Sequence, residues 1–400
     1  MPGLLIRNAD YVVTVDRDRR IITDGAVAIV NDRIAAVGKT ADVAPQFPDA
    51  ETLDGRGKLV MPGLVDTHIH NAQQLGRGLG DEAYSGPERL FRRLWVVESH
   101  MDAGDALCAA RLCQLEMVAQ HNGSLNGRLK AWFSMRVPVA CSDDLLRRIA
   151  ALAEKRGVGV IGHACENRDE IVASHLKYGM GDVARLEKLG LLRSNLLLLH
   201  MGWVDARELF MLQQRDVKVS LAPGATFHQA MGNISHGKAP EMLELGITVA
   251  LGSDSAMSGN FLDTIRQTFL LVGGYHEARL DPKVIRPEVA VEMITINGAR
   301  ATLWDAEIGS LEVGKRADVT VLDIRRPEWQ PVHNPIANLV YSAHGGCADT
   351  VIVDGNVLMR NGRVLTLNEA DLYGEARDRA RSLVRRAGLE QVAASIWPVV

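Results

Sequence analysis

Four strand-like runs of this chain end in a titratable residue, and that pattern constrains the fold more than any other feature. Leu196-Leu197-Leu198-Leu199 runs into His200, Val158-Gly159-Val160-Ile161-Gly162 into His163, and Val249-Ala250-Leu251-Gly252-Ser253 into Asp254. The fourth, Met61-Pro62-Gly63-Leu64-Val65-Asp66-Thr67, alternates apolar with small residues and ends in His68-Ile69-His70. Strands that are apolar on both faces belong in a parallel sheet covered by helices on either side. Residues i and i+2 on a strand share a face, so His68 and His70 can serve one metal ion through neutral nitrogens.

Helical stretches alternate with these strands: Asp105 to Ala119, Asp143 to Arg156, Val183 to Leu189, Ala206 to Gln214 and Arg286 to Leu303. Strands, helices and strand-end ligands together predict an α/β fold, a (β/α)8 TIM-type barrel over residues 58–307 with its site on the C-terminal face. Only six barrel strands are legible, ending near His70, Arg136, His163, His200, Pro223 and Asp254. Each βα unit needs roughly 30 residues, and the chain passes from Ala119 through His121-Asn122-Gly123-Ser124 straight into the next strand. Either the barrel is incomplete or a segment near residue 120 is missing, and the second is the expectation. Residues 1–57 and 308–367 read as short strands with turns at Asn31-Asp32 and Asp354-Gly355. Each piece alone would bury little surface, so the two are expected to form one small β-sandwich domain built from both chain termini. Residues 368–400 read as a surface helix, Glu369 to Gly388, and a tail.

The chain has 400 residues, 47% hydrophobic and 24% charged, which suits a large buried core and argues against disorder. Its formal net charge of -4 offers no attraction for nucleic acid or an anionic membrane. No apolar run approaches the roughly 20 residues of a membrane span, and the first residues lack the charge and hydrophobicity of an export signal. Five cysteines without a Cys-x-x-Cys pair fit reduced thiols in a cytoplasmic protein, with Cys165 a small buried filler. Trp95 reads as core, and Arg77 as solvated or ion-paired.

Three imidazoles and a carboxylate can surround a divalent ion and leave one position for water. The ion lowers the pKa of that water, and attack on an electron-poor carbon then needs a proton acceptor and a proton donor. Asp254 can take the water proton. Glu166, three residues past His163, can protonate the leaving side. His200 can orient the water or stabilise developing charge. His228 and His236, in a glycine-rich loop after the seventh strand, could contact substrate.

Taken in order, Pro62 to His70, His163-Ala164-Cys165-Glu166, Leu199-His200, Gly252-Ser253-Asp254 and Ile308 to Asp318 resemble the amidohydrolase superfamily, on the branch of cytosine, guanine and S-adenosylhomocysteine deaminases and triazine chlorohydrolases. The resemblance covers nearly the whole chain. It implies one divalent metal ion on His68, His70, His163 and Asp254, with zinc leading and iron, cobalt or manganese also suited to these ligands. It implies catalytic roles for Glu166, His200 and Asp254, and a homo-oligomer. Gln73 matches a position that guanine deaminases use to hold the base, so Gln73 and His228 are the substrate-binding residues expected. Binuclear relatives use a carboxylated lysine at the end of the fourth strand; here Lys130 lies near its start and Arg136 at its end. The stretches Pro223 to Gln229 and Asp254 to Asn260 depart from the deaminase patterns where substrate should bind. The expected function is metal-dependent hydrolysis of a non-peptide carbon–nitrogen bond in a small molecule, deaminase- or chlorohydrolase-like. Hydrolysis of a urea, carbamate or thiocarbamate is the alternative of the same chemistry. A non-catalytic scaffold on this fold is the alternative of another class.

Overall fold

The computed structural model describes residues 3–79, 94–106, 108–109 and 132–393. Its fold is α/β, with two sheets of different construction. Fourteen strands are named here in chain order. Those of the first sheet are β1 (Leu4–Val13), β2 (Ile21–Val30), β3 (Arg33–Lys39), β4 (Glu51–Asp54) and β5 (Lys58–Pro62), then β11 (Val319–Asp323), β12 (Ala348–Val353), β13 (Asn356–Arg360) and β14 (Arg363–Val364). The order is β14-β13-β12-β11-β5-β1-β2-β3, with β4 also paired to β1. The two ends of the chain therefore share one sheet, and β5 joins them. It runs parallel to β1 and antiparallel to β11, with Val60 opposite both Val12 and Val321. Ile6, Val27, Val60, Val319, Val321 and Ile352 form a buried apolar layer beneath it.

The expected turns are present. Asn31 joins β2 to β3 with φ 55°, and Asp354 and Gly355 join β12 to β13 with φ 54° and 76°, the positive pair that a two-residue hairpin requires. Gly355 also sits against the β2–β3 turn, where an added Cβ would lie 1.9 Å from Asn31 O.

The second sheet is parallel: β6 (Phe133–Met135), β7 (Val160–Ala164), β8 (Leu196–His200), β9 (Lys218–Leu221) and β10 (Val249–Leu251), neighbours in that order. β8, β9 and β10 are buried at every position. Helix Asp143–Arg156 returns the chain from β6 to β7, helices Arg168–Tyr178 and Asp182–Lys188 from β7 to β8, and Ala206–Gln214 from β8 to β9. These helices start on side-chain caps where the sequence supplies them. Ser142 caps the first, and Asp205 with Glu208 forms a capping box on the last.

The segment bearing His68 and His70 lies along the free edge of β10. It is held by Thr67 N–H to Leu251 O at 3.3 Å, Asp254 N–H to His68 O at 2.7 Å and His70 N–H to Asp254 O at 2.9 Å, and joins through a single parallel bridge, Ile69 to Asp254. Among the described residues, no other strand pairing occurs between Pro62 and Phe133. The expected break near residue 120, and Lys130, lie outside the described residues.

Two helical expectations are corrected. Arg286 to Leu303 is not one helix but two, Pro287–Met293 and Ile296–Ala301. They part at Thr295, whose φ of -132° and ψ of -100° leave the helical region while its hydroxyl donates to Val291 O at 2.6 Å. His228 lies not in a glycine-rich loop but in helix Pro223–Gln229, started by a proline at its first position. Helix Glu369–Arg386 does form, and packs Leu372, Ala376 and Leu383 against Leu75, Leu94, Val97 and Met257. No helix among the described residues is long and apolar enough to cross a membrane.

Gly355→Ala should destabilise the protein by ~1–3 kcal/mol, because the position needs positive φ and the added methyl meets backbone. Urea unfolding of the variant beside the parent checks this. Equal midpoints would mean that the two hairpins do not constrain each other.

Candidate metal centre

His163 is the fourth residue of β7, His200 the last of β8, and Asp254 follows β10 by three residues. Parallel pairing sets His163 opposite Leu199 and Ala164 opposite His200, so the side chains emerge at one end of the sheet. The edge segment adds His68 and His70. His68 Nε2 is 3.2 Å from His70 Nε2. Asp254 Oδ1 is 3.7 Å from His68 Nε2 and 3.4 Å from His70 Nε2. Ring centroids of His68 and His163 are 4.9 Å apart, and those of His68 and His200 5.1 Å. Donor atoms of His68, His70 and His163, and those of His68, His200 and Asp254, each lie within 4.8 Å of one another.

Backbone strain marks the same place. Cys165, His200, Met201 and Asp254 all have φ between 51° and 71°, a left-handed conformation that costs a non-glycine residue about 1 kcal/mol or more. Hydrogen bonding holds it. Asp66 Oδ1 accepts from the backbone N–H of His68 at 3.1 Å and of Ser253 at 3.0 Å, and Oδ2 accepts from the Ser253 hydroxyl. Thr67 Oγ1 bonds Ser220 Oγ at 2.6 Å and donates to Leu251 O at 2.9 Å.

Burial, the largest cause, keeps the imidazoles neutral, and the positive groups around them add to it. His68 and His163 are held well below the usual histidine range. His70 is pushed down to about 3 by burial and then by Arg136 and His200, although 26% of its side chain opens to the cavity. His200 is lowered by burial against an opposing pull from Glu166. His68 Nδ1, His163 Nδ1 and both nitrogens of His200 are buried without a hydrogen-bond partner. Neutral nitrogens gathered around a carboxylate at 3–4 Å make a donor set that a divalent ion fits.

A cavity of about 330 Å³ opens beside these donors. His70, His163, Glu166 and Asp254 line it, with Gln73, Arg136 and Gln229. Glu166 Oε1 is 3.9 Å from His200 Nε2. Its backbone N–H donates to Glu170 Oε2 at 3.0 Å, so the neighbouring helix fixes the loop that carries it. Gln73 reaches the wall, and its amide donates to Glu98 Oε1 at 2.5 Å. His228 is engaged elsewhere: Nδ1 with Ser258 O at 2.6 Å and Nε2 with Asn260 Nδ2 at 3.2 Å. The residue of its helix on the cavity wall is Gln229.

Sequence reasoning overlooked several of these groups. Asp66 lay inside the motif that placed His68, but its clamp on Ser253 spans 187 residues. Trp95, expected in the core, is 41% exposed and lines the cavity; its helix, Trp95–Ser99, buries Val97 instead. Arg136, noted only for not being lysine, donates from Nη1 to His163 Nε2 at 3.1 Å. Beneath the loop lies an acidic group with no marking in the sequence. Burial pushes Glu170 up to about 8 and raises Asp182 and Glu208, while Asp182 Oδ2 accepts from Cys165 N–H at 3.1 Å.

The amidohydrolase family model matches residues 93–358. The chain belongs to the amidohydrolase family. Its reaction class is metal-dependent hydrolysis of carbon–nitrogen bonds in small molecules. A bacterial imidazolonepropionase-like composite domain model matches residues 25–50. The amidohydrolase is 30% identical to 5'-deoxyadenosine deaminase of Methanosarcina acetivorans, over 97% of this chain and 100% of that protein. It is 32% identical to 5-methylthioadenosine/S-adenosylhomocysteine deaminase of Desulforudis audaxviator, over 95% and 99%. In fold it is similar to an adenosine deaminase from Xanthomonas campestris with bound zinc, at TM-score 0.90 and 24% identity over 96% of this chain and 99% of that one. It is also similar to atrazine chlorohydrolase from Arthrobacter aurescens TC1 complexed with zinc, at TM-score 0.82 and 19% identity over 94% and 100%.

Two predictions rest on this geometry. Asp66→Ala should weaken binding of a divalent metal by about 10- to 100-fold, as loss of a group that orients ligands does; competition with a chelator measures it, and unchanged affinity would show that the clamp is idle. Glu170 titrates near 8 when folded against an ordinary 4.5, so the native state holds the extra proton. Its contribution to stability is complete below about pH 4.5 and is lost as pH rises through about 8. Glu170→Gln should flatten the fall in denaturation midpoint across that interval.

Proposed function

We propose that the protein is a mononuclear hydrolase that removes an amino or related leaving group from a small heterocycle, with zinc held by His68, His70, His163 and Asp254. The observation that carries this reading is the convergence of those donors, with His200, at one end of the parallel sheet. When bound, the ion would supply Lewis acidity and an activated water near neutral pH. The remaining roles belong to the chain. Asp254 accepts a proton from the attacking water. His200, buried and neutral, orients the water and stabilises charge as the substrate carbon becomes tetrahedral. Glu166, on the cavity wall beside His200, delivers a proton to the departing side. Gln73 and the helix that carries His228 hold the substrate.

The fold is read further in the same way. Residues 58–307 form a (β/α)8 barrel, and residues 1–57 with 308–367 form the small domain. Two barrel strands belong to a segment lost near residue 120. Support comes from the alignment with the Methanosarcina enzyme, which extends over 446 positions although this chain has 400 residues.

Glu166→Gln should keep its zinc and lose about 10²- to 10⁴-fold in turnover, the usual share of a general acid, whereas His68→Ala should lose zinc. Plasma emission for metal and assays for released ammonia check both. Ammonia marks a deaminase, and a substituted amine marks a urea or carbamate hydrolase. A chain that takes up no zinc, cobalt or manganese would leave the non-catalytic scaffold.

A further inference from the structure

Outside the cavity, the turns after β11 and before β12 bring together a second set of side chains with metal-binding chemistry. Glu328 lies in the turn Pro327–Trp329, while His344 starts and Cys347 ends the turn Gly345–Cys347. One donor atom of each lies within 4.8 Å of the others. His344 Nε2 is 3.5 Å and Cys347 Sγ 3.7 Å from the same oxygen, Glu328 Oε1. Donors about 2.0–2.3 Å from a tetrahedral zinc ion stand roughly 3.3–3.8 Å apart, and both separations match that spacing. Support lies behind the ligands. Trp329, fully buried, donates its Nε1–H to Cys347 Sγ at 3.4 Å, which favours a thiolate. Gly345 N–H donates to Asp263 Oδ2 at 2.7 Å and fixes the turn. Arg326 donates from Nε to Glu328 Oε1 at 2.6 Å and from Nη1 to Gly346 O at 3.0 Å. That guanidinium opposes a second cation, but a carboxylate offers about four lone-pair sites, and a thiolate adds a second negative charge. Gly346 N–H donates to His344 Nδ1 at 3.1 Å, so the proton of the neutral ring sits on Nε2 and faces Glu328. A metal on Nε2 sends that proton to Nδ1, and the exposed Gly346 N–H turns to water. The thiol proton passes to solvent.

We propose that Glu328, His344 and Cys347 bind a divalent ion of the zinc class, in a second metal site whose chemistry differs from that of the first. The thiolate makes it the softer of the two, since His68, His70, His163 and Asp254 offer only nitrogen and oxygen. The side chains of His344 and Glu328 are 43% and 29% exposed, so a fourth position is open to water. The site stands independently of the hydrolase reading.

The test is a cobalt(II) titration of the full chain, stripped of metal with a chelator, read by absorption. A thiolate-to-cobalt charge-transfer band should appear in the near ultraviolet, because the first centre has no sulfur ligand to give one. It should appear equally in His68→Ala, where it saturates at about one cobalt per chain, and added zinc should bleach it. Cys347→Ser should abolish it. His344→Gln, at a half-exposed position that leaves the core alone, should raise the cobalt needed by about tenfold or more, since even a group that only orients a ligand is worth that much. The absence of a band in the parent overturns the proposal, and is the result expected if Glu328 merely gathers hydrogen bonds from Arg326, His344 and Cys347. A band that survives Cys347→Ser overturns it by placing the thiolate elsewhere, and one that needs His68 by placing it at the first centre. A band indifferent to His344→Gln leaves Cys347 a lone thiol, and one that zinc does not bleach excludes a zinc-class site; either result overturns the proposal too.

Discussion

The backbone pairing of residues 67–70 with residues 251–254 is the contact on which the rest of the site depends. The Thr67 hydroxyl reaches Leu251 O across 184 residues of chain, and the Asp66 carboxylate ties His68 to Ser253. Without that seam, His163 and His200 would still stand at adjacent strand ends, but no pair of imidazoles would meet them. With it, His68 becomes the hub: its ring lies within 5.1 Å of those of His70, His163 and His200. Crowding four neutral imidazoles around one carboxylate is tolerable where strand ends and a hydrogen-bonded edge segment hold each donor.

The nine-stranded sheet supports that seam from below. β5 leads directly into the segment that carries His68, and Gly63 N–H bonds Asp318 O at 2.9 Å. The register of β5 against β11 therefore fixes where the edge segment starts. This explains why the ends of the chain share a sheet: the first and last portions clamp the strand that leads to His68 and His70.

Legibility in the sequence followed the range of the interaction. β8 could be read because four leucines in a row are apolar on both faces, and helix Asp143–Arg156 because Ser142 and Gly157 bracket it. The ordered histidines, with Glu166 and Asp254, were legible because strand ends point one way in a parallel sheet. What escaped was set by contacts between distant residues. Nothing local tells that Arg136 meets His163, or that Trp95 turns to a cavity while Val97 takes the core. Thr295 is an ordinary residue in a helical pattern until its hydroxyl returns to Val291 O. His228 looked available because its neighbours include glycine, yet Ser258 and Asn260 engage both its nitrogens.

The donors come from residues 68, 70, 163, 200 and 254, so no partly folded chain can assemble the set. An ion that binds only the complete arrangement stabilises the native state in proportion to the logarithm of its free concentration. The lifetime of such a chain in a cell is then tied to the local supply of that ion, and its scarcity would be registered first as loss of protein and only later as loss of catalysis.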